Sequence, residues 1–194
     1  MGSLSNFNQS VNIQELINKN DIKTFVETGC FRGNSLDYAL KFNNIQKLYS
    51  CDIDEYAIEQ CNQRFKNKNI SLHHCDSVSF LKQILPEIST NCLFWLDAHL
   101  PDFEKTSGQT YTDNKHNFPL EKELSIIHKS RKKFNDIIIV DDLRIYEDGD
   151  FEGGNWKDRN KFGTLNLDFL KKYNYDVQKF YSQEGYILLQ KTKV

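Results

Sequence analysis

Two hydrophobic periods take turns along this chain: short apolar or alternating runs of strand length, and longer stretches with an apolar residue every three or four positions. Residues 24–27 read as a first strand, residues 47–52 as a second that ends in an acid, and residues 70–74 as a third. Helices fit between them over residues 34–42, 55–66 and 78–85, the middle one placing Ile58, Cys61 and Phe65 along one face. The apolar runs at 93–96 and 137–140 have strand length and no polar alternation, as central parallel strands covered on both faces require. Residues 120–133 between them carry Leu120, Leu124 and Ile127 along one helical side, and Pro119 suits the start of that helix. A leading helix is expected over 11–17 and another helix over 165–173. Strands at 175–181 and 186–190 then form a hairpin through Ser182-Gln183-Glu184-Gly185.

Strands alternating with helices predict an α/β fold in three layers, with a mostly parallel seven-stranded sheet closed by the C-terminal antiparallel hairpin. Ligands of such sheets bind beyond the carboxyl ends of the strands. Five predicted strand ends carry polar residues: Glu27 to Gly33, Asp52 with Asp54, Asp76, Asp97 with His99, and Asp141 with Asp142. Any one of these acids reads equally as a solvated loop residue, and it is the series that points to a site. No repeat, low-complexity block or proline-rich linker interrupts the chain, so a single domain over 1–194 is expected. Within it, 1–20 forms the leading helix, 100–118 a lid-like loop and 144–163 an insertion on the acceptor side.

The sequence Phe25-Val26-Glu27-Thr28-Gly29-Cys30-Phe31-Arg32-Gly33-Asn34-Ser35 runs from a strand through a glycine turn into a helix. Gly29 can take the positive φ of a tight turn, and Gly33 removes a Cβ where the first helical turn would pass a bound molecule. The spacing is E-x-G-x-x-x-G, which counts against the G-x-G-x-x-G of nicotinamide dehydrogenases. An ordinary strand-to-helix turn is the plainer alternative.

Bulk composition narrows the classes further. The 25 basic and 27 acidic residues give a formal charge of −2, so no global field draws the protein to nucleic acid or an anionic membrane. No apolar run approaches the roughly 20 residues that span a bilayer. The five cysteines, Cys30, Cys51, Cys61, Cys75 and Cys92, form no C-x-x-C pair and read as reduced core thiols. With no charged-then-apolar signal segment, the cytoplasm is the expected compartment.

The motifs V-E-T-G-C-F-R-G-N-S after the first strand, S-C-D-I-D after the second and H-C-D-S after the third resemble those of class I S-adenosylmethionine-dependent methyltransferases. The resemblance covers nearly all of the chain from residue 20 onward, and the terminal hairpin agrees with it. It implies S-adenosyl-L-methionine as cofactor, with Glu27, Thr28, Gly29, Cys30, Gly33, Asn34 and Ser35 on the methionine side. Asp52 would take the ribose hydroxyls, with Asp54 the alternative, while Asp76 and Ser77 would sit by the adenine and Asp97 beside the cofactor. Independently, a carboxylate accepts two hydrogen bonds from a ribose diol. Phe94-Trp95-Leu96-Asp97-Ala98-His99 and Ile139-Val140-Asp141-Asp142 resemble the L-D-G-D and I-D-D segments of divalent-metal-dependent macrocin- and novobiocin-type sugar O-methyltransferases. That likeness implies a hard cation, magnesium, held by Asp97, Asp141 and Asp142. Asp141-Asp142 reads alternatively as a cap of the next segment.

Where the related pattern has a second aspartate this chain has His99, which becomes the candidate base with Asp97 beside it. A structural role for His99 has equal standing. The expected reaction is methyl transfer to a hydroxyl of a sugar, glycan or sugar-linked metabolite. Trp156 is suited to stack on the acceptor, and Arg144 or Arg159 to grip an anionic part of it. The lid-like loop contributes Asp102, Glu104, Gly108, Tyr111, His116 and Asn117. A metal-independent small-molecule methyltransferase and a non-catalytic cofactor-binding module remain the rivals. A nucleic-acid acceptor is not expected, because neither a basic face nor an N-P-P-Y segment is present. A homodimer stays open.

Overall fold

The computed structural model describes residues 3–99, 118–157, 159 and 165–192. Seven strands form one sheet in the order β3-β2-β1-β4-β5-β7-β6. They are β1 (Ile22–Thr28), β2 (Lys47–Asp52), β3 (Ile70–His74), β4 (Asn91–Leu96), β5 (Ile137–Val140), β6 (Tyr175–Phe180) and β7 (Tyr186–Lys191). The first five run parallel, whereas β7 pairs antiparallel with both β5 and β6 and so lies between them. The expected architecture is the one found.

Period-two alternation divides the core. Phe94, Leu96, Ile138, Val140, Ile187 and Leu189 point into one apolar cluster, while Leu93, Trp95, Ile137, Ile139, Tyr186 and Leu188 point into the other. Helices α5 (Ser77–Ile84) and α6 (Leu120–Ser130) cover the first face through Phe80, Leu81, Ile84, Leu120, Leu124 and Ile127. Helices α1 (Leu4–Ser10), α2 (Ile13–Lys19), α3 (Asn34–Ala39) and α4 (Glu55–Arg64) cover the second. The leading helix is thus two helices. Ser3 caps α1 by accepting the Asn6 N–H, and Phe7 packs edge-on against Phe180 with ring centroids 5.3 Å apart.

Three helices stop short of the lengths expected. Helix α3 ends at Ala39, where Lys41 and Phe42 donate to carbonyls three residues back and tighten the chain out of the α-helix. Helix α4 ends at Arg64 and α6 at Ser130, each followed by a residue outside helical geometry. Over 165–173 only a 3-10 turn forms, Asp168–Lys172. Asn166 takes the Asp168 N–H into an Asx turn, and Leu170 is the one residue of the turn that is buried. No helix among the described residues is long and apolar enough to cross a membrane.

At the amino ends of β4 and β5, away from the predicted site, a buried ion pair ties three elements together. Arg131, just past α6, donates to both carboxylate oxygens of Asp136 at 3.0 and 2.8 Å and to the carbonyls of Ile88 and Thr90. Asp136 in turn accepts the Cys92 N–H at 2.7 Å. Both side chains are almost fully buried, so removing one partner strands a charge. Arg131→Ala is expected to lower the unfolding free energy by about 3–5 kcal/mol, read from the urea midpoint.

Candidate active site

Strand β1 delivers Glu27 and Thr28 to its carboxyl end, where Gly29 (φ 83) and Gly33 (φ 73) both occupy left-handed backbone. A Cβ on Gly29 would lie 2.7 Å from the Asp97 carbonyl oxygen, and one on Gly33 would lie 2.6 Å from the Phe65 ring and 3.0 Å from Cys61 Sγ. The space that Gly33 frees is therefore filled by α4, which corrects the expectation that it admits a ligand. The turn is held by its neighbour strand: Gly29 and Cys30 N–H both donate to the Cys51 carbonyl at 3.0 Å, and Phe31 N–H donates to Asp52 Oδ2 at 2.8 Å. Asp52 Oδ1 also accepts the Asp54 N–H, so this one carboxylate organises both the glycine turn and the exit from β2.

Asp54 and Asp76 are used as helix caps, accepting N–H groups of Tyr56 and Ser79 at the starts of α4 and α5. Ser77 is buried behind Asp76. Asn34 is turned toward Arg64, which donates to its side-chain oxygen at 3.0 Å. Cys30 is buried in the turn, and the Ser35 hydroxyl acts to lower the Glu27 pKa. Glu27 is only 1% exposed and accepts the Ser50 hydroxyl at 2.7 Å. Burial nevertheless pushes its pKa from an ordinary 4.5 up to about 8.

Beyond β4 and β5 the chain brings together Asp97, His99 and Asp142. One ligand atom from each lies within 4.8 Å of the others. His99 Nε2 is 2.5 Å from Asp142 Oδ2 and 3.7 Å from Asp97 Oδ1. Asp142 reaches this position from left-handed backbone (φ 54), a strained conformation for a residue with a side chain. Burial and the neighbouring carboxylates of Asp142, Glu27 and Asp52 hold Asp97 well above the usual carboxylate range. Burial likewise raises Asp141, with Asp97 and Asp142 adding to it, whereas His99 holds Asp142 down despite burial. Asp141 is not part of the three-residue group: its Oδ1 accepts the Asp142 N–H at 2.8 Å. The structure thus puts His99 where Asp141 was expected among the candidate ligands. This excess of buried carboxylate suits a cation, and two carboxylates with an imidazole form a donor set for a divalent metal.

One acid was not foreseen. Glu123 on α6 is 1% exposed, its Oε1 has no hydrogen-bond partner, and it lines a cleft with His99 and Tyr146. Burial pushes its pKa up to about 7. Its signal was present in the sequence, since position 123 falls within the 120, 124, 127 apolar stripe. Among the acceptor-side residues, Arg144 bridges Asp142 and Glu184, Arg159 pairs with Asp148 at 2.7 Å, and Trp156 packs against Phe118. Asp102, Glu104, Gly108, Tyr111, His116 and Asn117 of the expected lid lie outside the described residues.

No family model matches the sequence, and no curated protein matches it. Solved structures do. A provisionally named caffeoyl-CoA O-methyltransferase from Staphylococcus aureus superposes with a TM-score of 0.62 at 14% identity, over 97% of this chain and 90% of that one. An O-methyltransferase from Bacillus cereus, solved in complex with S-adenosylhomocysteine (SAH), gives 0.56 at 11% identity, covering 95% and 80%. A provisionally named methylase from Haemophilus influenzae gives 0.58 at 15%, covering 95% and 96%. The chain has the class I methyltransferase fold. At these identities the likeness is one of fold, and within a methyltransferase fold the carboxyl edge described above is where a ligand is expected.

The Glu27 carboxyl binds its proton more tightly in the folded chain. Its stabilising contribution is therefore complete below pH 4.5 and is lost as pH rises through about 8. Glu27→Gln should gain stability relative to the wild type between pH 5 and pH 8.5, by on the order of 4 kcal/mol in paired urea titrations.

Proposed function

We propose that this protein is an S-adenosylmethionine-dependent O-methyltransferase that acts on a hydroxyl of a sugar, glycan or sugar-linked metabolite with the help of a divalent cation. The observation that carries the reading is the convergence of Asp97, His99 and Asp142 beside the Glu27–Gly29 turn in a methyltransferase fold. The glycine turn and Glu27 form the methionine-side wall, and Asp52 is the acid at the ribose. Buried carboxylates suit a cofactor that carries positive charge on sulfur and nitrogen.

Asp97, His99 and Asp142 would hold the cation, with Asp141 behind them fixing the Asp142 backbone. Magnesium is the first candidate, and the imidazole in the set also admits manganese. Such an ion, when bound, lowers the pKa of a hydroxyl that contacts it. The chain's own part is to align the acceptor oxygen, exclude water and receive the proton.

The His99–Asp142 contact of 2.5 Å favours a second, metal-free reading. Here Asp142 orients the imidazole and His99 accepts the acceptor's proton, with its pKa raised by Asp142 toward a useful base. Titrating the protein with S-adenosylmethionine by calorimetry, then assaying methyl transfer to a panel of methyl glycosides with magnesium, manganese or EDTA, tests both.

Three outcomes are expected. Cofactor binds to the wild type. Gly29→Ala, whose Cβ would strike the Asp97 backbone from a positive φ, weakens that binding at least tenfold. Asp142→Asn lowers turnover by about 100-fold or more and removes any response to metal. Turnover that survives EDTA unchanged overturns the metal-assisted form, and absence of cofactor binding by the wild type overturns the whole reading.

A further inference from the structure

Glu123 is a buried acid that the Ser77 and Thr28 hydroxyls approach, and one of its two oxygens is left over. It replaces an apolar residue on the inward stripe of α6, yet its Oε1 makes no hydrogen bond within the described protein. The Thr28 hydroxyl, close enough to help lower the Glu123 pKa, is also buried and meets no partner at full hydrogen-bond geometry. Leaving a buried polar group unpaired forfeits its solvation without return, so a helix that needed only packing would carry leucine at this position.

The cleft beside Glu123 has a volume of 10 Å³, room for one water or one hydroxyl group. Leu96, Pro119, Leu120 and Val140 make its walls apolar, so a polar occupant must bond to Glu123, His99 or Tyr146. A hydroxyl satisfies the site as an ammonium or a carbonyl does not. It donates to the Glu123 oxygen and can still accept a hydrogen bond in return.

Building on the methyltransferase reading above, we propose that Glu123 anchors the methyl acceptor, its free Oε1 receiving a hydrogen bond from an acceptor hydroxyl seated in this cleft beside His99. The site thereby selects acceptors that carry a hydroxyl at this point, and Glu123 becomes a specificity-determining residue on α6, separate from the Asp97–His99–Asp142 group.

The test uses the full chain crystallised with S-adenosylhomocysteine and soaked in ethylene glycol as the hydroxyl probe. The expected result is a glycol oxygen within hydrogen-bond distance of Glu123 Oε1 in the wild type and none in Glu123→Leu. A water that glycol does not displace, a cation on Oε1, or an Oε1 bonded to the Thr28 or Ser77 hydroxyl overturns the proposal. Thermal melts supply the second readout. Glu123→Gln should melt no lower than the wild type, because Oε1 has no internal hydrogen bond to lose. A fall of more than about 5 °C in Glu123→Gln would mark a structural carboxyl and sink the idea. Failure of wild-type protein to bind S-adenosylhomocysteine would instead count against the methyltransferase reading.

Discussion

Strands β4 and β5 are apolar on both faces because helices cover the sheet from either side, and this two-sided burial decides where the protein can keep its polar chemistry. A charge in mid-strand would find neither water nor a partner, so the acids collect where the strands end and the backbone turns. Glu27 is the one acid inside β1. It persists there through the Ser50 hydroxyl and a strongly raised pKa.

The two ends of the sheet solve the problem of buried charge in opposite ways. At the amino ends, Arg131 and Asp136 neutralise each other and every guanidinium nitrogen donates to a carbonyl or carboxylate. That is a clamp, and it ties α6 to both central strands. At the carboxyl ends, Asp97, Asp141, Asp142, Glu27 and Asp52 face one another, with His99 and Arg144 as the nearby basic groups. Burial, with mutual repulsion added to it, raises the pKa values of Glu27, Asp52, Asp97 and Asp141, while His99 holds Asp142 down; a bound cation would favour the ionised form of all of them. Strain at Asp142 and the unmet oxygen of Glu123 belong to the same end.

Much of the fold was legible because hydrophobic period is a local property. Strands β2, β3 and β5 occupy the residues that their apolar patterns mark, and the hairpin that slots β7 between β5 and β6 follows from its turn sequence. Helix α1 was hidden because only Leu4 and Phe7 are buried in it, and it is a helix by virtue of Ser3 and the aromatic rings that it meets. Over 165–173 only the 3-10 turn Asp168–Lys172 forms, because Phe169 and Leu170 make a helical stripe too short to sustain an α-helix.

At the site, the sequence by itself determined which residue types stand at the strand ends: the glycine turn, Asp52, Asp97, His99 and the Asp141-Asp142 pair. Tertiary structure decided which of them meet. His99 and Asp142 are 43 residues apart and touch because β4 and β5 are adjacent, while Asp141, one residue away, bonds to backbone instead. Asp54 and Asp76 became caps, Gly33 made room for Phe65, and Glu123 arrived from a helix whose pattern looked merely apolar. The reason is that spacing along a chain fixes a side chain's face on its own element, whereas distances across a sheet follow from how crossovers lay the elements side by side.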